Sequence, residues 1–139
     1  MEDIFFFSLK IKFKFKNPKK TSNWLSKICQ NEGRGVESLS YIFCSDNYLA
    51  DLNKKYLNHS TLTDILTFDY SNSNRVNGEI YISIARVKEN ARIFNQTFDS
   101  ELRRVLSHGL LHLIGYNDKT PSQKSEMRRK EEACLSLWK

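Results

Sequence analysis

The chain has 139 residues, 40% of them hydrophobic and 12% aromatic, and its 22 Lys and Arg against 16 Asp and Glu leave a formal net charge of +6. That length makes a single domain, residues 1–139, able to bury a core without disulfide or metal staples, and only 5 glycines and 2 prolines exclude collagen-like and Pro/Gly-rich disordered classes. A mean hydropathy of −0.56 and the lack of an apolar run near ~18 residues exclude a membrane-spanning helix, while the basic excess favours anionic partners without naming one.

Ile4 to Leu9 is apolar but far too short for a span, and with no basic region before it and no small-residue cleavage site after it the block is not a signal peptide. The expected location is the cytoplasm. Lys10 to Lys16 alternates lysine with Ile11, Phe13 and Phe15, a period of two that predicts a strand with one face in the core. Asn17-Pro18 breaks it. Thr21 or Ser22 then caps a helix carrying Trp24, Leu25 and Ile28 on one side and ending near Gly33 and Gly35. Leu39 to Cys44 reads as a second strand, and Ser45 or Asp46 starts a helix through Leu49, Leu52, Asn53 and Tyr56.

Asn58 to Leu62 is loop-like, Ile65 to Phe68 a short strand, and Ser71 to Asn77 a polar surface loop. Glu79 to Ile84 alternates again, with Ile80, Ile82 and Ile84 on one face, and Ala85 to Phe94 turns helical. Asp99 or Ser100 caps the next helix, where Leu102, Val105, Leu106, Leu110 and Leu113 recur at three and four before Gly115 stops it. The last helix runs from Pro121 or Ser122 to Leu137. Strand, helix, strand, helix, strand, strand and then helices predict an α/β or α+β fold, a small sheet packed by helices. Trp24 and Trp138 are expected to pack in the core, and Cys29, Cys44 and Cys134, widely spaced and with no C-x-x-C pair, to be buried free thiols.

Of three histidines, His108 and His112 stand four apart, one turn above each other on one helix face. Two imidazoles so placed can share a metal ion, or be core polar groups hydrogen-bonded to their neighbours. Gly115 can bend the chain back and bring Asp118 beside the rings, and two imidazoles with one carboxylate leave a zinc ion an open position for water. Position 109 narrows the chemistry. A peptidase of the H-E-x-x-H type carries its general base there, whereas this chain has Gly109, so peptide hydrolysis would need a base such as Glu79 or Glu126. Ser107 has no visible triad partners.

The segment HGLLHLIGYND at 108–118 resembles the YbeY family motif H-G-x-L-H-L-x-G-Y-D-H. Leu52-Asn53-Lys54-Lys55-Tyr56-Leu57 followed by Leu62-Thr63-Asp64-Ile65-Leu66-Thr67-Phe68 is similar to a second family segment, Gly78-Glu79-Ile80 to a third, and Glu126-Met127 to Glu131 to a fourth, in order over roughly residues 35–137. The resemblance implies a mixed, mostly parallel sheet with the metal-binding helix lining a cleft. It also implies a metal-dependent endoribonuclease that hydrolyses single-stranded RNA, acts in 16S rRNA 3′-end maturation and ribosome quality control, and meets the small ribosomal subunit or its proteins. One Zn2+ per chain would be held by His108, His112 and Asp118, the last replacing the family's usual third histidine.

Leu57 stands where the family has an arginine that meets RNA phosphate, and leucine has no guanidinium fork. Lys54, Lys55 and His59 are the cations nearby in sequence, and Asp64 a candidate to orient the site through hydrogen bonds. The runner-up readings are a non-catalytic ribosome-assembly factor with a structural metal, which Leu57 favours, and a metallopeptidase.

Overall fold

A computed structural model describes residues 3–57 and 63–139. The elements are β1 (Ile4–Ser8), α1 (Pro18–Asn31), β2 (Val36–Cys44), α2 (Asp46–Leu57), β3 (Ile65–Asp69), β4 (Val76–Ser83), α3 (Ile84–Ile93), α4 (Phe98–Ile114) and α5 (Pro121–Ser136). The sheet order is β1-β2-β4-β3, with β1 parallel to β2, β2 parallel to β4, and β3 antiparallel to β4. The fold is therefore α+β, within the class that the element order predicts, and its sheet is mixed and mostly parallel, as the family resemblance implies.

The first strand is not where the alternation places it. Ile4–Ser8 pairs with β2, while residues 10–16 form an extended strap that joins no ladder; Lys10 turns the chain at φ 58°. The burial alternation is correct, since Ile11, Phe13 and Phe15 pack against the core and the lysines between them are exposed. Helix starts also shift. Asn17, in the left-handed region at φ 56°, precedes Pro18 at the head of α1, and Thr97 rather than Asp99 or Ser100 caps α4, its hydroxyl accepting from the Ser100 N–H at 3.1 Å. Proline suits a helix start because its missing N–H has no partner there anyway.

Alternate residues of the sheet feed two cores. Leu39, Tyr41, Phe43, Ile80 and Ile82 face α1 and α4, packing on Trp24, Leu25, Ile28, Leu106 and Leu110. Cys44 and Leu66 face the other way, under Leu49 of α2. Two buried hydrogen bonds tie the layers: the Tyr41 hydroxyl donates to the Leu106 carbonyl at 2.8 Å, and the Trp24 indole N–H donates to the Cys134 carbonyl of α5 at 2.8 Å. Trp138 packs edge-on against Trp24, and the three thiols are buried and unpaired, as expected of both sets.

Candidate metal centre

The site is built on α4, whose line of approach to the sheet is set by Gly109. A Cβ at that position would lie 2.7 Å from Ile65 Cδ1 and 3.0 Å from Ile80 Cγ2. Residue 109 thus points into the sheet, and the face bearing His108 and His112 is turned toward α5 and the 115–120 turn. This is a physical reason for glycine here, since a glutamate would have to displace the Ile65 and Ile80 side chains. The other candidate bases fare no better: Glu79 alternates with Ile80 and so points to the opposite face of the sheet, where it accepts from the Tyr70 hydroxyl at 3.0 Å, and Glu126 pairs with Arg129 at 3.5 Å.

Gly115 ends α4 as anticipated. At φ 124° its N–H reaches the His112 carbonyl at 3.1 Å and the Tyr116 N–H reaches the Leu111 carbonyl at 3.0 Å, the paired bonds of a Schellman motif. Five residues on, Thr120 and Gln123 form a capping box at the start of α5, with Pro121 in its first turn. Held between these two caps, Asp118 returns to α4.

Its Oδ2 lies 3.4 Å from His108 Nε2 and 3.3 Å from His112 Nε2, and the two Nε2 atoms are 3.1 Å apart. The three groups are half-buried and together can hold a metal ion. The spacing is informative: a tetrahedral ion with bonds of about 2.0–2.1 Å separates its ligand atoms by roughly 3.3–3.4 Å, an octahedral ion with the same bonds by roughly 2.9 Å. The triangle's edges of 3.1–3.4 Å are of the size that one bound ion requires.

Protonation reinforces that fit. His108 Nδ1 is 2.5 Å from Glu131 Oε2. A carboxylate only accepts, so the ring proton sits on Nδ1 and the Nε2 lone pair faces Asp118 and His112. Behind it runs a charged relay. Arg104 donates to Glu101 through Nη2 at 2.6 Å and to Glu131 through Nη1 at 3.3 Å, with both carboxylates buried. The hydrogen bond from Arg104 to Glu101 raises the guanidinium pKa further above its usual range.

Sequence reasoning misses Glu101 and Arg104. Their signal is faint but real, because positions 101, 104 and 108 fall on one face of the helix at spacings of three and four. Asp64 lies between α3 and α4, its carboxylate accepting from the Asn90 side-chain amide at 3.5 Å; burial pushes its pKa up against the pull of Arg104 and His108. Lys54 and Lys55 are exposed on the last turn of α2, with Lys55 Nζ 5.3 Å above the Tyr56 ring, and no contact joins either to the triad among the described residues. Leu57 ends that helix, and His59 lies outside the described residues. Tyr116 packs away from the triad, its hydroxyl donating to Glu32 at 2.7 Å. A concavity of about 550 Å³ opens between α4 and α5, lined by His108, Asp118, Arg104, Lys124 and Arg128 among others. Among the described residues no helix is long and apolar enough to cross a membrane.

The chain is similar to known proteins over nearly its whole length. The sequence pattern of the family described as Endoribonuclease YbeY matches residues 7–139. The Endoribonuclease YbeY of Cytophaga hutchinsonii is 47% identical over 139 residues, covering 99% of this chain and 97% of that protein. That of Flavobacterium psychrophilum is 45% identical over 132 residues, covering 95% and 94%. The solution structure of TM1509 from Thermotoga maritima superposes with a TM-score of 0.67 at 31% identity, covering 96% of this chain and 87% of that one.

Proposed function

The chain belongs to the YbeY endoribonuclease family, and from that membership we propose that it is a zinc-dependent endoribonuclease hydrolysing single-stranded RNA, chiefly ribosomal RNA. Its work is 16S rRNA 3′-end maturation and ribosome quality control, in the cytoplasm, in contact with the small ribosomal subunit or its proteins. One Zn2+ per chain is held by His108, His112 and Asp118, within a single domain of residues 1–139. The observation that carries this reading is the convergence of two imidazole nitrogens and one carboxylate oxygen at 3.1, 3.3 and 3.4 Å. Two imidazoles and one carboxylate are a donor set that suits zinc.

A zinc ion supplies Lewis acidity there, acidifying water and polarising a phosphoryl oxygen. The chain's own residues do the rest. Glu131 fixes the His108 tautomer through the proton on Nδ1, and Arg104 fixes Glu131. The concavity between α4 and α5 is the cleft that admits the RNA strand, and Lys124 and Arg128 on its wall offset phosphate charge, the task for which Leu57 has no suitable group.

Leu57 favours one second reading, a non-catalytic assembly factor with a structural metal. Cleavage of single-stranded rRNA fragments with and without chelator separates the two. The nuclease cuts, stops on chelation, and loses at least ~100-fold in rate with His112→Ala; equal rates for wild type and His112→Ala overturn it, and binding without cutting leaves the assembly factor. A casein substrate stays intact, because Gly109, Glu79 and Glu126 provide no base at the triad. Elemental analysis finds about one zinc per chain, lowered by Asp118→Ala; failure to bind added zinc removes the metal centre altogether.

A further inference from the structure

The strap of residues 10–16 that belongs to no ladder forms one wall of a second cavity, of about 240 Å³, beside the N-terminal half of α4. Its walls are aromatic and aliphatic, with Phe13, Phe15, Phe98 and Trp138 among them, and its lining includes Lys14, Lys16 and Arg103 against one acid, Asp99. The Trp138 ring already carries two cations, Lys20 Nζ at 4.4 Å and the Arg103 guanidinium at 4.7 Å. Asn17 and Thr21 of the α1 start also line it. That helix begins without a side-chain cap and without an acid in its first turn, and has Lys19 and Lys20 there instead. Cations at a helix N-terminus add to the positive end of the helix dipole, so this side of the cavity favours an anion.

This cavity is separate from the metal centre. Leu102, Arg103 and Leu106 line it, whereas Glu101, Arg104 and His108 line the concavity at the triad, so the two lie on opposite sides of α4. A flat apolar ring enclosed by aromatic walls, with positive charge at the rim for a phosphate, is the chemistry of a nucleotide. We infer that the cavity binds one nucleotide of the RNA strand outside the cleaved segment, its base among Phe13, Phe15 and Trp138 and its phosphate against Lys14, Lys16 and Arg103. This rests on the reading of the protein as an RNA nuclease. It gives the lysine alternation a use: the inner residues of the strap supply the wall and the outer ones the charge.

Reaching both places requires a strand to pass around a helix about 10–12 Å across, so only a long oligonucleotide senses the second one. The test measures binding of a long single-stranded RNA and of a trinucleotide by fluorescence anisotropy, with cleavage of each in parallel. The double variant Lys14→Glu/Lys16→Glu weakens the long RNA about tenfold, lowers the slope of log affinity against log salt by about two, and leaves the trinucleotide unchanged. The control Lys27→Glu/Lys88→Glu, an equal charge change on exposed positions elsewhere, stays within about twofold of wild type. Phe15→Leu weakens the long RNA by at least about fivefold without changing the salt slope, and should it fail to fold, the lysine pair still decides. Equal losses in both charge variants mean diffuse attraction and overturn the inference, as does an unchanged long-RNA affinity in Lys14→Glu/Lys16→Glu. Saturation of the cavity by a free nucleoside monophosphate, read by tryptophan fluorescence with no effect of RNA length, overturns it in favour of a small effector. Failure of the nuclease reading would look different: lysine-dependent RNA binding with no cleavage in any variant.

Discussion

At the scale of single residues, the centre depends on a carboxylate that lies behind the triad. Glu131 accepts the His108 Nδ1 proton and so aims Nε2 at Asp118, and Arg104 holds Glu131 in turn. Glu131→Gln keeps the size and a possible hydrogen bond but removes the charge that raises ring basicity. Its expected effect is a loss of about 10- to 100-fold in zinc affinity, read by competition with a chromogenic chelator, with the thermal transition of the metal-free protein still cooperative. Unchanged affinity would mean that Glu131 serves the α4–α5 packing alone. The histidine pair, the glycine turn and the acid after it were legible in the sequence because all three sit within one local segment. The relay behind them was not, because Glu131 arrives from another helix, 23 residues beyond His108, and a lone Glu–Arg pair in a helix reads first as a solvated surface contact.

At the scale of elements, the turn between α4 and α5 uses two helix caps to set Asp118 beside the histidine pair. Gly115 at φ 124° adopts a conformation that side chains resist, and its N–H closes on His112 itself. Gly115→Ala is expected to cost about 1–3 kcal/mol in urea unfolding and to lower zinc affinity as well, because Asp118 is displaced with the turn. A change in stability with no change in affinity would show that Asp118 finds its place without the Schellman bonds. Strand β1 carries the complementary lesson. Lys10 to Lys16 shows the burial period of a strand, and the structure honours that period without the hydrogen bonds, since an extended strap over a core alternates in the same way. Ile4–Ser8 earns the ladder instead because it lies in parallel register with Leu39 to Phe43. Periodicity reports which side of a segment is wet; which segment pairs with β2 depends on contacts far along the chain.

At the scale of the whole molecule, three thiols are shared among the sheet and helices. Burial pushes Cys29 up to about 12 and Cys44 and Cys134 up to about 11, from 9.0. A folded-state value above the unfolded one means that the native state keeps protons the unfolded chain has released. Stability from this source is therefore complete below about pH 9 and is lost as pH rises toward 11–12. Urea unfolding under reducing conditions is expected to show a falling midpoint from pH 8 to 10.5, with a shallower fall in Cys29→Ala; parallel slopes for the two proteins would remove Cys29 from the account. The same burial leaves the thiols slow to react with a thiol reagent until the protein unfolds. The close seating of α4 on the sheet reaches further still. Residue 109 faces Ile65 and Ile80, so a side chain added there meets those two first. Writing glutamate into the motif therefore asks more of this scaffold than the histidine spacing suggests, because the new side chain meets the isoleucines of the sheet before it can serve the triad.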